Sequence, residues 1–307
     1  MNIEGIEMIP IRHSSLNYIK DIPLFVKTQG GRFIRFEERH FHEDDLQRDT
    51  SDRPKVFIRH SDKLISLEEM RRGFSDKVKA SLDSGDLRSL KQTLSTIIEE
   101  TLEEPRSGLL SVSADAIDAI LERYEDRPKA FAKLAMMSEQ DYTTAIHSIN
   151  VMALSLGYCG ETGMRLEEMR EMALGAMLHD LGKGRISKEI LNATRKLTDQ
   201  EFGVMKMHTL YGYSLLAEED FSHTVQMIAL EHHEKLDGSG YPHGKTDITE
   251  GARIVGIIDC FEALTSNERP YRSAMSALKA MELIRDDLMH GKFDMRAFRG
   301  FITSLAG

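Results

Sequence analysis

Cysteine is nearly absent: Cys159 and Cys260 are the only two in 307 residues. That excludes a disulfide framework or a thiolate zinc cluster and fits a reducing compartment. Tryptophan is missing altogether. No stretch approaches the ~20 consecutive apolar residues of a membrane helix. The first ten residues carry Glu4 and Glu7 where a signal peptide would place positive charge, so the sequence predicts a cytoplasmic protein with no membrane span. An excess of positive charge is lacking too, since 40 basic residues face 50 acidic ones for a net charge of −10. This excludes a broad electrostatic grip on nucleic acid. What is present is a globular composition, 41% hydrophobic and 29% charged, at a length beyond most single cores. Twelve histidines stand out, eight of them at position 147 or later.

The chain predicts a mostly α protein with a small N-terminal α+β module. Residues 1–80 form that module: Ile22–Lys27 and Arg32–Phe36 read as strands around Gly30-Gly31, Lys55–Arg59 as a third. Ser66 with Glu69 reads as a capping box that starts a helix near Leu67. The alternating pattern of a phosphoacceptor receiver is not found, and Glu43-Asp44-Asp45 reads as a solvated loop. Residues 81–110 read as a connecting helix and linker, with one apolar face from Asp76 to Leu102 before Pro105 and Gly108 break it. That face would pack on the following domain or on a second copy, giving a homodimer. Residues 111–307 are helical by period over Ala116–Tyr124, Lys129–Met137, Glu139–Leu156, Leu166–Leu181, Asp199–Ala217, Ser222–His232, Ile254–Leu264 and Ala274–Met289.

Within those helices lie polar residues that an apolar core has no use for. His179-Asp180 ends one helix ahead of Gly182 and Gly184, and a carboxylate there can bridge two metal ions while the adjacent imidazole binds one of them. His147 sits among Ile146, Ile149, Val151 and Met152; His208 falls in a polar gap; His232-His233-Glu234 closes another apolar helix. Asp259 is embedded in Ile254–Phe261, where an unpaired carboxylate would cost several kcal/mol. Five histidines and two aspartates on successive helices predict a metal site. Imidazole and carboxylate donors suit Fe, Mn, Co, Ni or Zn. Two ions a few Å apart are suited to phosphodiester cleavage. His40, His42 and His60 read as separate surface histidines.

This series resembles the HD-GYP family of cyclic di-GMP phosphodiesterases, metal-dependent phosphohydrolases of the HD type. The motifs that carry the resemblance are His179-Asp180, Gly182-Lys183, His208, His232-His233-Glu234, Asp237-Gly238-x-Gly240-Tyr241-Pro242 and Arg269-Pro270-Tyr271-Arg272. They run in family order from about Thr144 to Phe293, leaving the N-terminal module uncovered. The resemblance implies an all-α HD-type domain over 111–307. One metal would be held by His147, His179, Asp180 and Asp259, with Asp180 bridging to a second held by His208, His232 and His233. It further implies that Lys183 sits beside the reacting phosphate or water, that Tyr241, Arg269 and Arg272 contact the substrate phosphates, and that the ions are Fe or Mn. Gly240 lets backbone approach the ligand.

Three departures from the family pattern shape the expectation. Some members bind a third metal through a glutamate one turn before the first histidine; Thr143 stands there, so two metals are predicted. The loop Glu262-Ala-Leu-Thr-Ser-Asn267-Glu268-Arg269 has one residue more than usual and an added negative charge. Gly184-Arg185-Ile186-Ser187 replaces an apolar segment, making Arg185 a candidate phosphate or guanine contact. The resulting expectation is hydrolysis of cyclic di-GMP to pGpG, with slow or no further cleavage to GMP. Competing readings are a weakly catalytic cyclic-dinucleotide sensor signalling through the N-terminal module, and an enzyme for another cyclic dinucleotide. The module itself is expected to dock a protein partner or to form a dimer interface.

Overall fold

The computed structural model describes residues 6–28, 30–36, 55–103, 109–123, 133–137, 143–266 and 274–306, and the backbone alone of His13. The chain divides into two compact units, Met1–Lys77 and Val78–Gly307. Among the described residues no helix is long and apolar enough to cross a membrane.

The first unit is built on a four-stranded antiparallel sheet of β1 (Met8–Ile11), β2 (Leu24–Lys27), β3 (Phe33–Phe36) and β4 (Val56–Arg59), in spatial order β1-β4-β2-β3. Strand β4 alternates as a half-buried strand should, with Val56 and Ile58 inside. Strand β1 escapes prediction because Pro10 interrupts it; as an edge strand it tolerates the missing N–H. Helix α1 (Lys63–Ser84) begins ahead of the expected cap. Ser66 lies inside it and donates its hydroxyl to the Lys63 carbonyl, while Glu69 accepts the backbone N–H groups of Lys20 and Asp21 at 3.1 and 2.9 Å. The capping-box pair therefore does other work: Glu69 ties down the chain ahead of β2.

The expected continuous helix from Asp76 to Leu102 is two helices. Gly85, at φ 73°, breaks it, and Asp86 accepts the Ser89 N–H to start α2 (Leu87–Glu103). Leu90, Leu94, Ile97 and Ile98 of α2 are buried inside the second unit, so the apolar face read from the sequence is used within the chain. Further helices among the described residues are α3 (Leu110–Glu122), α4 (Thr144–Thr162), α5 (Leu166–Leu178), the single turn α6 (Lys188–Leu191), α7 (Asp199–Lys206), α8 (His208–Glu218), α9 (His223–Glu231), α10 (Glu250–Thr265), α11 (Ala277–Met289) and α12 (Met295–Ala306). Helix α4 is buried almost all round from Ala145 to Ala153, as a central helix must be. It packs against α2, α5, α10 and α12. Helix α9 lies against α5, α8 and α10.

Candidate metal centre

Helix ends concentrate the chemistry. His147 lies in the first turn of α4, His179 is the C-cap of α5 with Asp180 following, His208 opens α8, and His232 and His233 follow α9. Only Asp259 projects from a helix interior, that of α10. A 3-10 turn, Leu181–Arg185, carries the chain away from Asp180. This turn packs so tightly on α8 that a Cβ at Gly182 would overlap the His208 carbonyl, so only glycine fits there.

These side chains converge as two groups whose ligating atoms lie within 4.8 Å of one another. Asp180, His208, His232 and His233 form one, and His147, His179 and Asp259 the other. That is the scale of one coordination sphere, where opposite ligands at ~2.1 Å from an ion stand ~4 Å apart. Asp180 joins the groups: one of its oxygens is 3.4 Å from His208 Nε2, the other 3.3 Å from His179 Nε2 and 3.7 Å from His147 Nε2. His147 Nε2 is 2.9 Å from Asp259.

The donor set fits cations, because the tautomers are fixed from behind. Carbonyl oxygens only accept, so Nδ1 of His179 donates to Ala176, Nδ1 of His208 to Met205, and Nδ1 of His232 to Ile228 and Ala229. Each leaves an Nε2 lone pair facing inward. His208 Nε2 and His232 Nε2 face each other at 3.5 Å, two lone pairs that repel unless something positive lies beside them. His179 Nε2 and Asp180 Oδ1 are buried without a hydrogen bond among the described residues, a costly state that a cation relieves.

The electrostatics agree. Burial drives the imidazole pKa values down, to about 4 at His208, about 3 at His232 and well below the ordinary range at His233. Neutral imidazole is the ligating form. Burial opposes charge on Asp180 and Asp259 as well. Even so, Lys183 and His179 hold the first carboxyl well below its usual range, and His147 does the same for the second. Lys183 Nζ sits 2.5 Å from Asp180.

His147 differs, and the reason is a residue that the sequence reading placed only in a loop motif. Its Nδ1 lies 2.5 Å from Glu262 Oε2. The carboxylate is buried, and it also accepts from Asn150 Nδ2 at 2.8 Å and from the Ser266 hydroxyl. Burial works against a charged imidazole, but Glu262 and Asp259 outweigh it and hold the His147 pKa at about 9. Carboxylate–imidazole pairs of this kind orient metal-ligating histidines and raise their basicity. Spacing was the available signal: Asn150 and Glu262 each lie one helical turn beyond a candidate ligand, on the same face.

The loop after His233 is stapled by two buried glutamates. Glu234 accepts the backbone N–H groups of His243 and Lys245 at 2.7 and 3.0 Å, and Glu231 accepts Lys245 Nζ and the Thr249 N–H and hydroxyl. Glycine at 240 is demanded by the loop itself, since a Cβ would strike the backbone of Glu234 and Lys235. Tyr241, joined to Pro242 by a cis peptide, lies 4.6 Å from the His233 ring. Burial, with Asp259 and Asp180, pushes its phenol pKa up, so the hydroxyl stays a donor. Arg185 is exposed, its guanidinium 5.9 Å from the Tyr211 ring. Thr143 caps α4, accepting the Ile146 N–H. Arg269 and Arg272, the Asn267-Glu268 pair, His40 and His42 lie outside the described residues.

A cleft of about 1080 Å³ lies elsewhere. It is lined by the starts of α9 and α10, at His223, Thr224, Glu250 and Gly251, with Glu167 and Glu171 of α5. The candidate ligands His232 and His233 follow the opposite end of α9, ~13 Å away.

The family model described as HD domain matches residues 120–297. A cyclic di-GMP phosphodiesterase of Pseudomonas aeruginosa is 33% identical over 196 residues, 63% of this chain and 47% of the relative. A 3'3'-cGAMP-specific phosphodiesterase of Vibrio cholerae is 34% identical over 163 residues, 50% of this chain and 36% of the relative. The chain thus spans about half the length of these relatives or less. Among solved structures, an HDG"Y"P protein from Bdellovibrio bacteriovorus covers 98% of this chain and 100% of its own, with a TM-score of 0.67 and 19% identity, a likeness of fold. With its family match, its helical architecture and its ordered His-Asp and Gly-Tyr-Pro motifs, the chain belongs to the HD domain family, in its HD-GYP group.

Proposed function

We propose that the chain is a phosphodiesterase that opens cyclic di-GMP to linear pGpG. The observation that carries the reading is the pair of candidate ligand groups with the Asp180 carboxylate between them, its two oxygens near His208 on one side and His179 and His147 on the other, and the Lys183 ammonium against that same carboxylate. Two ions, Fe or Mn, are held in this reading by His147, His179, Asp180 and Asp259 and by Asp180, His208, His232 and His233. When bound, they supply Lewis-acid stabilisation of phosphoryl oxygens and lower the pKa of water in the site.

The side chains supply the remainder. Lys183, steered by Asp180, presents a cation to the phosphoryl oxygens as charge builds on them. Tyr241 donates a hydrogen bond to the phosphodiester from a phenol that burial keeps neutral. Arg185, Arg269 and Arg272 offer guanidinium forks matched to phosphate. Water adds to phosphorus, the P–O3' bond breaks, and the departing 3' oxygen takes a proton to give pGpG. Residues 1–80 serve as a regulatory or interaction module, 81–110 as the connection and 111–307 as the catalytic domain.

The similarity to a 3'3'-cGAMP-specific enzyme supports a second reading, in which the mixed cyclic dinucleotide is the preferred substrate. The test is metal content per chain together with products from cyclic di-GMP and 3'3'-cGAMP, on anaerobically prepared protein loaded with iron or manganese. About two ions with pGpG accumulating is the expected result. Faster turnover of 3'3'-cGAMP would favour the second substrate, and two ions without product from either would overturn the enzyme.

A further inference from the structure

A cyclic dinucleotide brings two purine faces as well as two phosphates, and phosphate-directed side chains give the bases no seat. Helix α7 offers one. None of its residues is buried, and its position is set by polar tethers instead. Thr198 and Glu201 form a capping box, and the Arg195 guanidinium grips Glu201 at 2.7 and 2.6 Å. A helix held this way has no need of an aromatic ring, yet it displays Phe202, 45% exposed. That ring lies 6.0 Å from Tyr241 at 81°, and Tyr241 in turn lies 4.6 Å from His233. Phe202 is thus one ring removed from a metal-ligand histidine. One turn on, Lys206 Nζ sits 5.2 Å from the Phe202 ring centre, over the ring.

We propose that Phe202 is a stacking platform for one purine of the cyclic dinucleotide, with Lys206 directed to the acceptor edge of that base. The inference rests on the cyclic-dinucleotide reading above. Its chemistry is that of single-stranded nucleotide sites, where an exposed aromatic face takes the base and a neighbouring cation adds attraction. A guanine turns its O6 and N7 acceptors outward, a pair that lysine recognises. The ring's position beyond Tyr241 sets the base aside from the ligand cluster, leaving the phosphate to face it.

The absence of tryptophan makes the test direct, because Phe202→Trp introduces a lone indole whose emission is quenched when a purine stacks on it. On metal-loaded full-length protein, Phe202→Leu, which keeps an apolar side chain but removes the π-face, is expected to raise KM for cyclic di-GMP about 5- to 100-fold. Its kcat and metal content should stay as in the wild type. Phe202→Trp is expected to keep a KM near the wild-type value and to lose emission on mixing with cyclic di-GMP but not with inorganic phosphate. A wild-type KM in Phe202→Leu, or emission in Phe202→Trp that cyclic di-GMP leaves unmoved while the same protein hydrolyses it, would overturn the platform and leave the phosphodiesterase standing. Wild-type protein that neither binds nor cleaves cyclic di-GMP would overturn both.

Discussion

Glu262 binds no metal in this scheme, yet it governs how His147 does. Its carboxylate holds the Nδ1 side of the imidazole at 2.5 Å and is itself fixed by Asn150. Glu262→Gln keeps the shape and removes the charge. Loss of such a supporting carboxylate typically costs about 10- to 100-fold in metal affinity, and that is the expected weakening, read by chelator competition with the circular dichroism spectrum unchanged. Unaltered affinity would show that the negative charge of Glu262 does not tune the His147 ring. Asp180→Ala should go further, since its two oxygens lie against histidines of both groups, one 3.4 Å from His208 and the other 3.3 Å from His179: metal content should fall toward zero with activity. A variant that kept its full metal complement would show that Asp180 does not join the two sets. The residues brought together here were legible because each is a polar group in an apolar helical run, where burial without a partner is expensive. Glu262 was not, because the string Glu262–Ser266 reads as the root of a loop. Only the structure reveals that its carboxylate turns back into the core.

Among the elements, helices with a strong apolar period were readable and their breaks were not. The period continues across Gly85 and across Met207, so α1 with α2, and α7 with α8, each look like one helix. What ends them is local: a left-handed glycine at 85, and at Met207 a single residue between the two helices, at φ −65° and ψ −15°, that is the C-cap of one and the N-cap of the next. The second break matters for the site, because it places His208 at a helix start facing the 3-10 turn Leu181–Arg185. Gly182 sits at the contact between the two, against the His208 carbonyl and the Gly212 nitrogen. Gly182→Ala must push the turn away from α8, and Asp180 would retreat from His208 with it. Such backbone overpacking costs typically 1–3 kcal/mol. The expected outcome is a lower urea midpoint at unchanged m, accompanied by lowered metal content. A midpoint equal to the wild type would mean that the turn yields without strain.

For the whole molecule, the ligands make metal binding a folding question. They span positions 147 to 259 of the sequence, so an unfolded chain must close long loops to gather them, whereas the folded chain presents them together. Without a cation the folded state also carries orphaned buried atoms on His179 and Asp180. An ion that binds the native state far better than the unfolded chain adds ~2.7 kcal/mol at a concentration 100 times its Kd. For a unit of this size each kcal/mol moves Tm by ~2–4 °C. Chelation of the metal-loaded protein is therefore expected to lower Tm by roughly 5–10 °C, measured by calorimetry at fixed protein concentration. The loss should appear as reduced amide-exchange protection in α4, α5, α8, α9 and α10, the helices that carry the ligands or lead into them. Asp180→Ala supplies the control, because a protein without the shared ligand should melt at the same temperature with and without chelator. If wild type and variant respond to chelation alike, the ions are not held by the site described. If neither protein responds, the cluster is preorganised without metal, and the buried lone pairs of His208 and His232 must be satisfied in another way.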